Sequence, residues 1–333
     1  MKKGFVIITV FAMMLSLPVV SAETGNAGAG GAWFKFGLGA RALGMGGAFG
    51  AIAEGVDAIY YNPGGVGLIL NPQVGLTYHS LSLDRNLNSA AFLMPVRNEA
   101  VLGLSWINSS VSDVPMIDSD RNPYSTFSNT NNSFGLSFAK RFADNLSIGG
   151  NLRYLQSVLD QLSAYTVGVD LGALYKPSKY YAFGFSVSDL GSNLVWNSSG
   201  YWGGDRGSDY TDKFPYRARL SAAGSLLDEA LDADIDIVKI EKLDMKFYGG
   251  VEYWFMTKVT MLEEDEEAED ELKEVDYNKR IFGLRGGYAD GSLTFGFSLF
   301  YPYGKINAGI DYAFYDSKIS EGSSNIISLK VLF

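Results

Sequence analysis

The stretch Leu146-Ser-Ile-Gly-Gly-Asn-Leu-Arg-Tyr154 alternates two kinds of residue. Leu146, Ile148, Gly150, Leu152 and Tyr154 form one set; Ser147, Gly149, Asn151 and Arg153 form the other. Successive side chains of a strand point to opposite faces, so this is a strand with one apolar and one polar face. The first face suits lipid and the second suits water, as in a transmembrane barrel strand.

From Pro72 onward the alternation recurs in blocks long enough for a tilted strand to cross a bilayer. Fourteen blocks are counted, from 73–80 to 325–333, and helical periodicity is nearly absent. An even number puts both chain ends on the periplasmic side, with short periplasmic turns alternating with longer outer loops. Short links at 96–98, 141–144 and 177–179 and long polar loops at 109–131 and 190–213 fit that order. The acidic insertion 263–276 falls on the periplasmic side by parity, so it is a periplasmic appendage or the count is off by a strand. The fold expected is all-β: a transmembrane antiparallel β-barrel of about 14 strands.

Composition agrees. Aromatic residues make up 14% of the 333 residues and charged residues only 19%. Mean hydropathy is near zero, as expected when apolar and polar faces average out. Cysteine is absent and His79 is the single histidine, which excludes thiolate and multi-histidine metal sites. The net charge of −10 is concentrated in nine acids between Glu263 and Glu274, and nothing points to a nucleic-acid partner. No cofactor, metal or catalytic residue is implied.

The chain divides into three parts. Residues 1–22 read as a signal peptide: Lys2 and Lys3, an apolar run from Phe5 to Leu17, then Val20-Ser21-Ala22. Residues 23–71 form an N-terminal segment without strand alternation, and 72–333 form the barrel. Within the N-terminal segment, Gly39 to Gly65, GARALGMGGAFGAIAEGVDAIYYNPGG, is rich in small residues and ends in the turn signal Asn62-Pro63-Gly64. It reads as a short, kinked helical plug, or hatch, in a lumen too wide for wall side chains to fill. A nucleotide-binding loop fits poorly, because no strand precedes these glycines and no βαβ unit follows.

The run from Gly28 to Phe49, followed by Asp57-Ala-Ile-Tyr-Tyr-Asn-Pro-Gly64, resembles the opening of PorV/PorQ-type proteins of the FadL-like outer-membrane β-barrel superfamily. Asp113–Asp120, Asp170–Tyr175, Gly250–Trp254, Leu284–Tyr288 and Asp311–Phe314 extend the resemblance along the chain. It implies the outer membrane, fourteen strands, an N-terminal hatch and passive transport of hydrophobic small molecules. For PorV-like members it implies instead a structural or adaptor subunit of type IX protein secretion, whose outer loops bind protein. The terminal Phe333, in phase with Ile327, Leu329 and Val331, resembles the signal read by the barrel assembly machinery. Where the family carries Asn-Pro-Ala, this chain has Gly64.

Three sets of candidate residues follow. Trp33, Phe34, Phe36, Phe49, Ile52, Ile59 and Tyr60 could hold an apolar ligand between hatch and wall, or simply pack the hatch. Asn62, Pro63 and Gly64 form the hatch turn. The inward charges are Arg153, Asp170, Arg217, Arg219, Asp234, Asp236, Glu252, Arg285, Asp311 and Lys330. The pairs expected on adjacent strands are Arg153 with Asp170, Arg217 or Arg219 with Asp234 or Asp236, Glu252 with Arg285, and Asp311 with Lys330. Two weaker patterns read as ordinary structure: His79 lacks a nucleophile elbow, and Asp118–Asn122, though spaced like a calcium loop, is followed by Pro123 where that loop needs glycine.

Overall fold

The computed structural model describes residues 30–97, 99–202, 207–264, 272–289, 291–304, 306–316 and 323–333. The expected signal peptide lies outside them.

Two short helices, α1 (Ala40–Gly44) and α2 (Ala58–Tyr61), and three 3-10 turns at Ala32–Phe36, Gly55–Asp57 and Pro63–Leu68 precede the strands. On the first flank of the wall lie β1 (Gln73–Ser80), β2 (Arg85–Val96), β3 (Ala100–Ile117), β4 (Pro123–Ala143), β5 (Leu146–Leu159), β6 (Leu162–Ser178) and β7 (Tyr181–Leu190). Strands β8 (Asn193–Asn197) and β9 (Asp209–Lys213) flank α3 (Ser199–Trp202) and pair only with each other. The second flank is β10 (Arg217–Leu226), β11 (Leu231–Ile240), β12 (Met245–Glu264), β13 (Leu272–Ala289), β14 (Ser292–Tyr303), β15 (Ile306–Asp316) and β16 (Ser323–Leu332).

Fourteen of these strands form one closed antiparallel barrel. Each pairs with its neighbour in the chain, β7 pairs with β10, and β16 returns to β1 with Gln73 opposite Leu332. Closure leaves no unpaired strand edge in lipid, where each free backbone group would cost several kcal/mol.

The two faces separate as the alternation requires. On β5, Ser147, Asn151 and Arg153 are buried inside, whereas Ile148, Leu152 and Tyr154 are exposed outside. Tyr154 and Tyr165 stack near the outer ends of β5 and β6, and Tyr175 and Tyr181 stand at the inner ends of β6 and β7. From Tyr165 to Tyr175 the strand runs about 33 Å, or roughly 25 Å of bilayer at a tilt of about 40°. The molecule is thus a membrane barrel of the outer-membrane kind.

Three sequence expectations need correction. The 109–131 stretch is not a long loop: β3 and β4 continue through most of it, pairing out to Ile117 and Pro123. Beyond the membrane both strand faces meet water, so polar composition does not mark where pairing stops. The 190–213 stretch likewise contains the β8–β9 hairpin, which sets Leu194 and Phe214 over Leu155 and Ala164. Finally, the described chain does not start at the periplasmic floor. Gly30 and Gly31 lie against Lys213 and Phe214 of the outer loop, and Trp33 packs beside Phe214, so the chain descends the lumen before entering β1.

The acidic insertion resolves in favour of the fourteen-strand count. Strands β12 and β13 simply run past the barrel floor, paired from Met256/Arg280 to Glu264/Leu272. The tip, 265–271, lies outside the described residues.

The lipid band gives a quantitative expectation. Leu171, on β6 midway between Tyr165 and Tyr175, points outward and is 53% exposed. Leu171→Arg should cost about 2–4 kcal/mol, read from urea titration of folding into vesicles. Leu174→Arg, facing a hatch-filled lumen, should also destabilise, by about 1–3 kcal/mol through overpacking, read in the same titration.

Candidate functional site

The lumen is filled by residues 32–69, and their fastening to the wall defines the site. The hatch is built of one-turn helices and 3-10 turns joined by irregular chain, and the backbone groups between and at the ends of those turns lack partners within it. Buried backbone groups must still be paired, and the inward polar side chains of the wall do this. Asp236 Oδ2 accepts the amides of Phe49 (3.0 Å) and Gly50 (3.2 Å). Asp234 Oδ2 accepts those of Ala51 (3.1 Å) and Ile52 (3.2 Å). Ser328 Oγ accepts from the Ala40 amide, while Asn151 donates to Ile59 O, Ser186 to Tyr61 O and Thr294 to Gly44 O.

The hatch turn is fastened through Asn62. Its Nδ2 donates to Gly50 O (2.8 Å) and to Ala173 O on β6 (3.0 Å), while its Oδ1 accepts the Gly64 amide (3.0 Å). A Cβ on Gly64 would stand 2.8 Å from the backbone of Ala173 and Leu174. Glycine at position 64 thus lets the hatch lie directly on the wall. On the opposite side, a Cβ on Gly287 of β13 would stand 2.2 Å from Gly46 N.

Charged side chains form two clusters. In the first, Arg153 donates to Asp170 (2.7 Å) and to Asp189 (2.7 Å), and Arg217 lies 4.0 Å from Asp189. The second is a chain of alternating sign: Asp57, Lys330, Asp311, Arg285, Glu252, Arg41, Glu54, Arg280 and Asp232. Its separations include 2.9 Å for Lys330 to Asp311, 3.5 Å for Arg285 to Glu252 and 2.8 Å for Arg280 to Glu54. Arg41 binds both Glu252 and Glu54 and so bridges wall and hatch. Arg219 pairs with Asp236 and donates to Gly47 O (2.9 Å).

Of the pairs expected from sequence, the structure joins Arg153 to Asp170, Arg219 to Asp236, Arg285 to Glu252 and Lys330 to Asp311. Arg217 does not meet Asp234 or Asp236. It sits opposite Ile240, further out, and turns to Asp189 and to the Tyr60 hydroxyl (2.8 Å). Among the described residues Asp234 takes no cation, only the two hatch amides. Sequence reading missed Arg41, Glu54 and Asp57 on the hatch and Asp189, Asp232 and Arg280 on the wall.

The aromatic candidates do not converge on one pocket. Phe34, Phe49 and Ile59 are buried in the hatch core, against Leu87, Leu93, Val101 and Ile107 of β2 and β3. Trp33 joins the outer cluster with Phe214. Phe36 and Tyr60 line a cavity of about 160 Å³ on the outer side of the hatch, and Ile52 lines a vestibule of about 500 Å³ on its periplasmic side. Three wall arginines lie over hatch rings: Arg153 over Phe34 (4.5 Å), Arg217 over Tyr60 (4.7 Å) and Arg219 over Tyr61 (5.2 Å). Such contacts contribute roughly 1–2 kcal/mol when desolvated.

The remaining candidates are structural. Asp118 Oδ1 accepts the amides of Asp120 (2.9 Å) and Asn122 (2.8 Å), closing the β3–β4 turn on itself. His79 is buried, and among the described residues neither ring nitrogen has a hydrogen-bond partner.

Solved structures share this architecture at low sequence identity. The monoaromatic hydrocarbon channel CymD superposes with a TM-score of 0.59 at 12% identity, over 89% of this chain and 96% of its own. The toluene transporter TodX of Pseudomonas putida gives 0.57 at 12%, over 89% and 97%. A FadL homologue of Pseudomonas aeruginosa gives 0.56 at 10%, over 89% and 98%. The chain is therefore similar to these channels in fold. No protein-family model and no curated protein matches its sequence.

The clamp has a pH signature. Burial alone would raise the Glu54 carboxyl, but Arg41, Arg280 and Lys176 outweigh it and hold it well below the usual carboxylate range. A depressed carboxylate stabilises above its unfolded value, about 4.3, and that stabilisation is lost only as pH falls through the lower folded value. The hatch should therefore resist added protease from pH 7 to about pH 4. Glu54→Gln should loosen it throughout that window and match the wild type only in stronger acid.

Proposed function

We propose that this chain is an outer-membrane channel through which small hydrophobic molecules pass passively, with the hatch as its gate. The observation that carries the reading is the pair of cavities on opposite sides of the hatch. They share no lining residue: Leu43, Gly46, Gly47, Tyr60 and Tyr61 face the outer one, and Arg41, Ala51, Ile52 and Glu54 the inner one. Only the hatch separates them. It is an insert held by hydrogen bonds, ion pairs and packing, so it can shift without breaking any strand pairing. The likeness to a toluene transporter and a monoaromatic hydrocarbon channel supports a hydrophobic solute.

A second reading follows the finer resemblance to PorV-like adaptor subunits of type IX secretion. What favours it is the outer hairpin region, where Tyr201, Trp202 and Tyr210 are exposed beyond the barrel mouth. Exposed aromatic side chains are typical of protein-contact surfaces. A deletion strain that takes up hydrophobic solutes normally yet fails to export proteins with sorting domains would favour this reading over transport.

Deleting Arg41–Tyr60 tests the gate. The expected result is a folded barrel with raised conductance in planar bilayers, in cells sensitised to large polar antibiotics. Unchanged conductance in a folded barrel would remove the hatch from its proposed role. For the solute, cells lacking the chain should take up toluene-sized hydrocarbons more slowly than cells that express it.

A further inference from the structure

The outer cavity has the size of a single aromatic ring, but its lining is not that of a plain hydrocarbon site. Its volume, about 160 Å³, matches the roughly 150 Å³ that admits benzene to a protein core. Leu43, Val238, Ile240, Ala289 and Ile326 supply apolar surface for such a ring. Most polar groups of the lining are already matched. Arg217 meets Asp189 and the Tyr60 hydroxyl, Arg219 meets Asp236 and Gly47 O, and Thr294 donates to Gly44 O. Lys246 and Tyr248 have partners as well. The lining therefore calls for no charged solute.

Two groups on it are left over, the Tyr61 hydroxyl and the His79 ring. Tyr61 is 3% exposed and His79 is 2% exposed. Among the described residues no acceptor takes the Tyr61 proton, and nothing pairs with either ring nitrogen of His79. The backbone amide beside the Tyr61 oxygen, that of Leu38, is itself a donor. His79 stands on β1 between Leu87 of β2 and Ile326 of β16, so the strands on either side offer its ring only apolar side chains. Burial accounts for where His79 sits, not for its two unpaired nitrogens.

The fold brings these two groups near each other. A Cβ on Gly37 would stand 3.0 Å from the Tyr61 oxygen and 2.7 Å from Leu43 Cδ2, so a larger residue there would cover the hydroxyl. Leu43 in turn packs in one cluster with Ile326, the neighbour of His79, so both groups border the Leu43 end of the cavity. Buried polar groups are almost always paired, and a bound hydrocarbon would leave both unmet.

Building on the channel reading above, we propose that this cavity binds a small uncharged aromatic bearing a hydroxyl group, a solute of the phenol class, in preference to the bare hydrocarbon. The ring lies against Val238, Ile240 and Ala289, with its hydroxyl turned to the Leu43 end. The phenol oxygen accepts the Tyr61 proton and donates its own to the bare nitrogen of the His79 imidazole. A site built to hydrogen-bond a hydroxyl rejects the analogue without one, because its own buried groups are then stranded.

The test uses the full chain in lipid nanodiscs, with empty nanodiscs as the blank, and calorimetric titration at neutral pH. The probes are phenol, toluene as a ring of similar size without the hydroxyl, and benzoate as the charged ring. Phenol should bind about tenfold more tightly than toluene, or better, and more tightly than benzoate. Tyr61→Phe removes only the hydroxyl, and His79→Phe puts an apolar ring in place of the imidazole. Each should lower the ratio of phenol to toluene affinity by about threefold or more, and the two together should bring it to about one. Heat-dependent gel mobility confirms that each variant is a folded barrel. A ratio near one in the unaltered chain, a ratio that survives either substitution in a folded barrel, tighter binding of benzoate than of phenol, or binding of neither phenol nor toluene would each overturn the proposal. None of these results decides the channel reading, which is judged separately by hydrocarbon uptake in expressing and deleted cells.

Discussion

Four consecutive amides of the hatch, Phe49 to Ile52, donate to two carboxylates on one wall strand, and the lumen is arranged around that capture. A chain that fills a barrel with only single helical turns carries the unpaired donors of the segments between them into a place with little water. Each would cost about 1–3 kcal/mol if left unsatisfied. The wall therefore presents acceptors and donors at matching heights: Asp234 and Asp236, Ser328, Thr294, Asn151 and Ser186. In sequence, the polar face of each strand reads as a water-facing surface. In the structure, most of these side chains are buried, and what they face is hatch backbone.

The alternating chain from Asp57 to Asp232 extends the same logic to charge. Its nine members come from β11, β12, β13, β15 and β16 of the wall and from three positions on the hatch. Desolvating them costs several kcal/mol per ion, largely offset by mutual attraction, so the net gain in stability is small. Removing one member is another matter, because it strands a buried charge at a cost of about 3–5 kcal/mol. What such a chain fixes is position: the hatch sits where Arg41 meets Glu252 and Lys330 meets Asp57, and a displaced hatch would leave both pairs open.

Strand number, faces and most inward charges were legible because period-two alternation is imposed by the bilayer on every strand. Two of the three wall misses, Asp189 and Arg280, share a cause, which is local departure from that period; Asp232 is in strict phase with Asp234 and Asp236 and was readable from it. Strict alternation along β7 from Ala182 to Ser188 would send Asp189 into lipid. Instead, Ser188 and Asp189 together oppose Asp170, and this bulge, with Asp189 at φ 67°, turns the carboxylate inward to Arg153. A register shift at Phe255/Met256 does the same for Arg280, which strict phase from Gly283 and Arg285 would place outside. A charge at a lipid-facing position within a span was the available signal, since it demands a bulge. The hatch charges gave no such signal, because single helical turns joined by irregular chain are too short to show a phase from which to read direction.

The hatch also meets two unlike walls. Toward β2–β4 its contacts are apolar, with Phe34, Phe49 and Ile59 against Leu87, Leu93, Val101, Ile107 and Ala139. Toward β10–β16 they are directed, through carboxylates, hydroxyls and ion pairs. Apolar contact is non-directional and is lost only in proportion to the area exposed, about 25 cal/mol per Å². Hydrogen bonds and ion pairs are lost within an ångström or two. A displacement of the hatch that slides along β2–β4 while its anchors to Asp234, Asp236 and Glu252 hold is therefore far less costly than one that leaves the polar wall. Opening by a short shift of part of the hatch, not by its expulsion, is the motion this division of contacts permits.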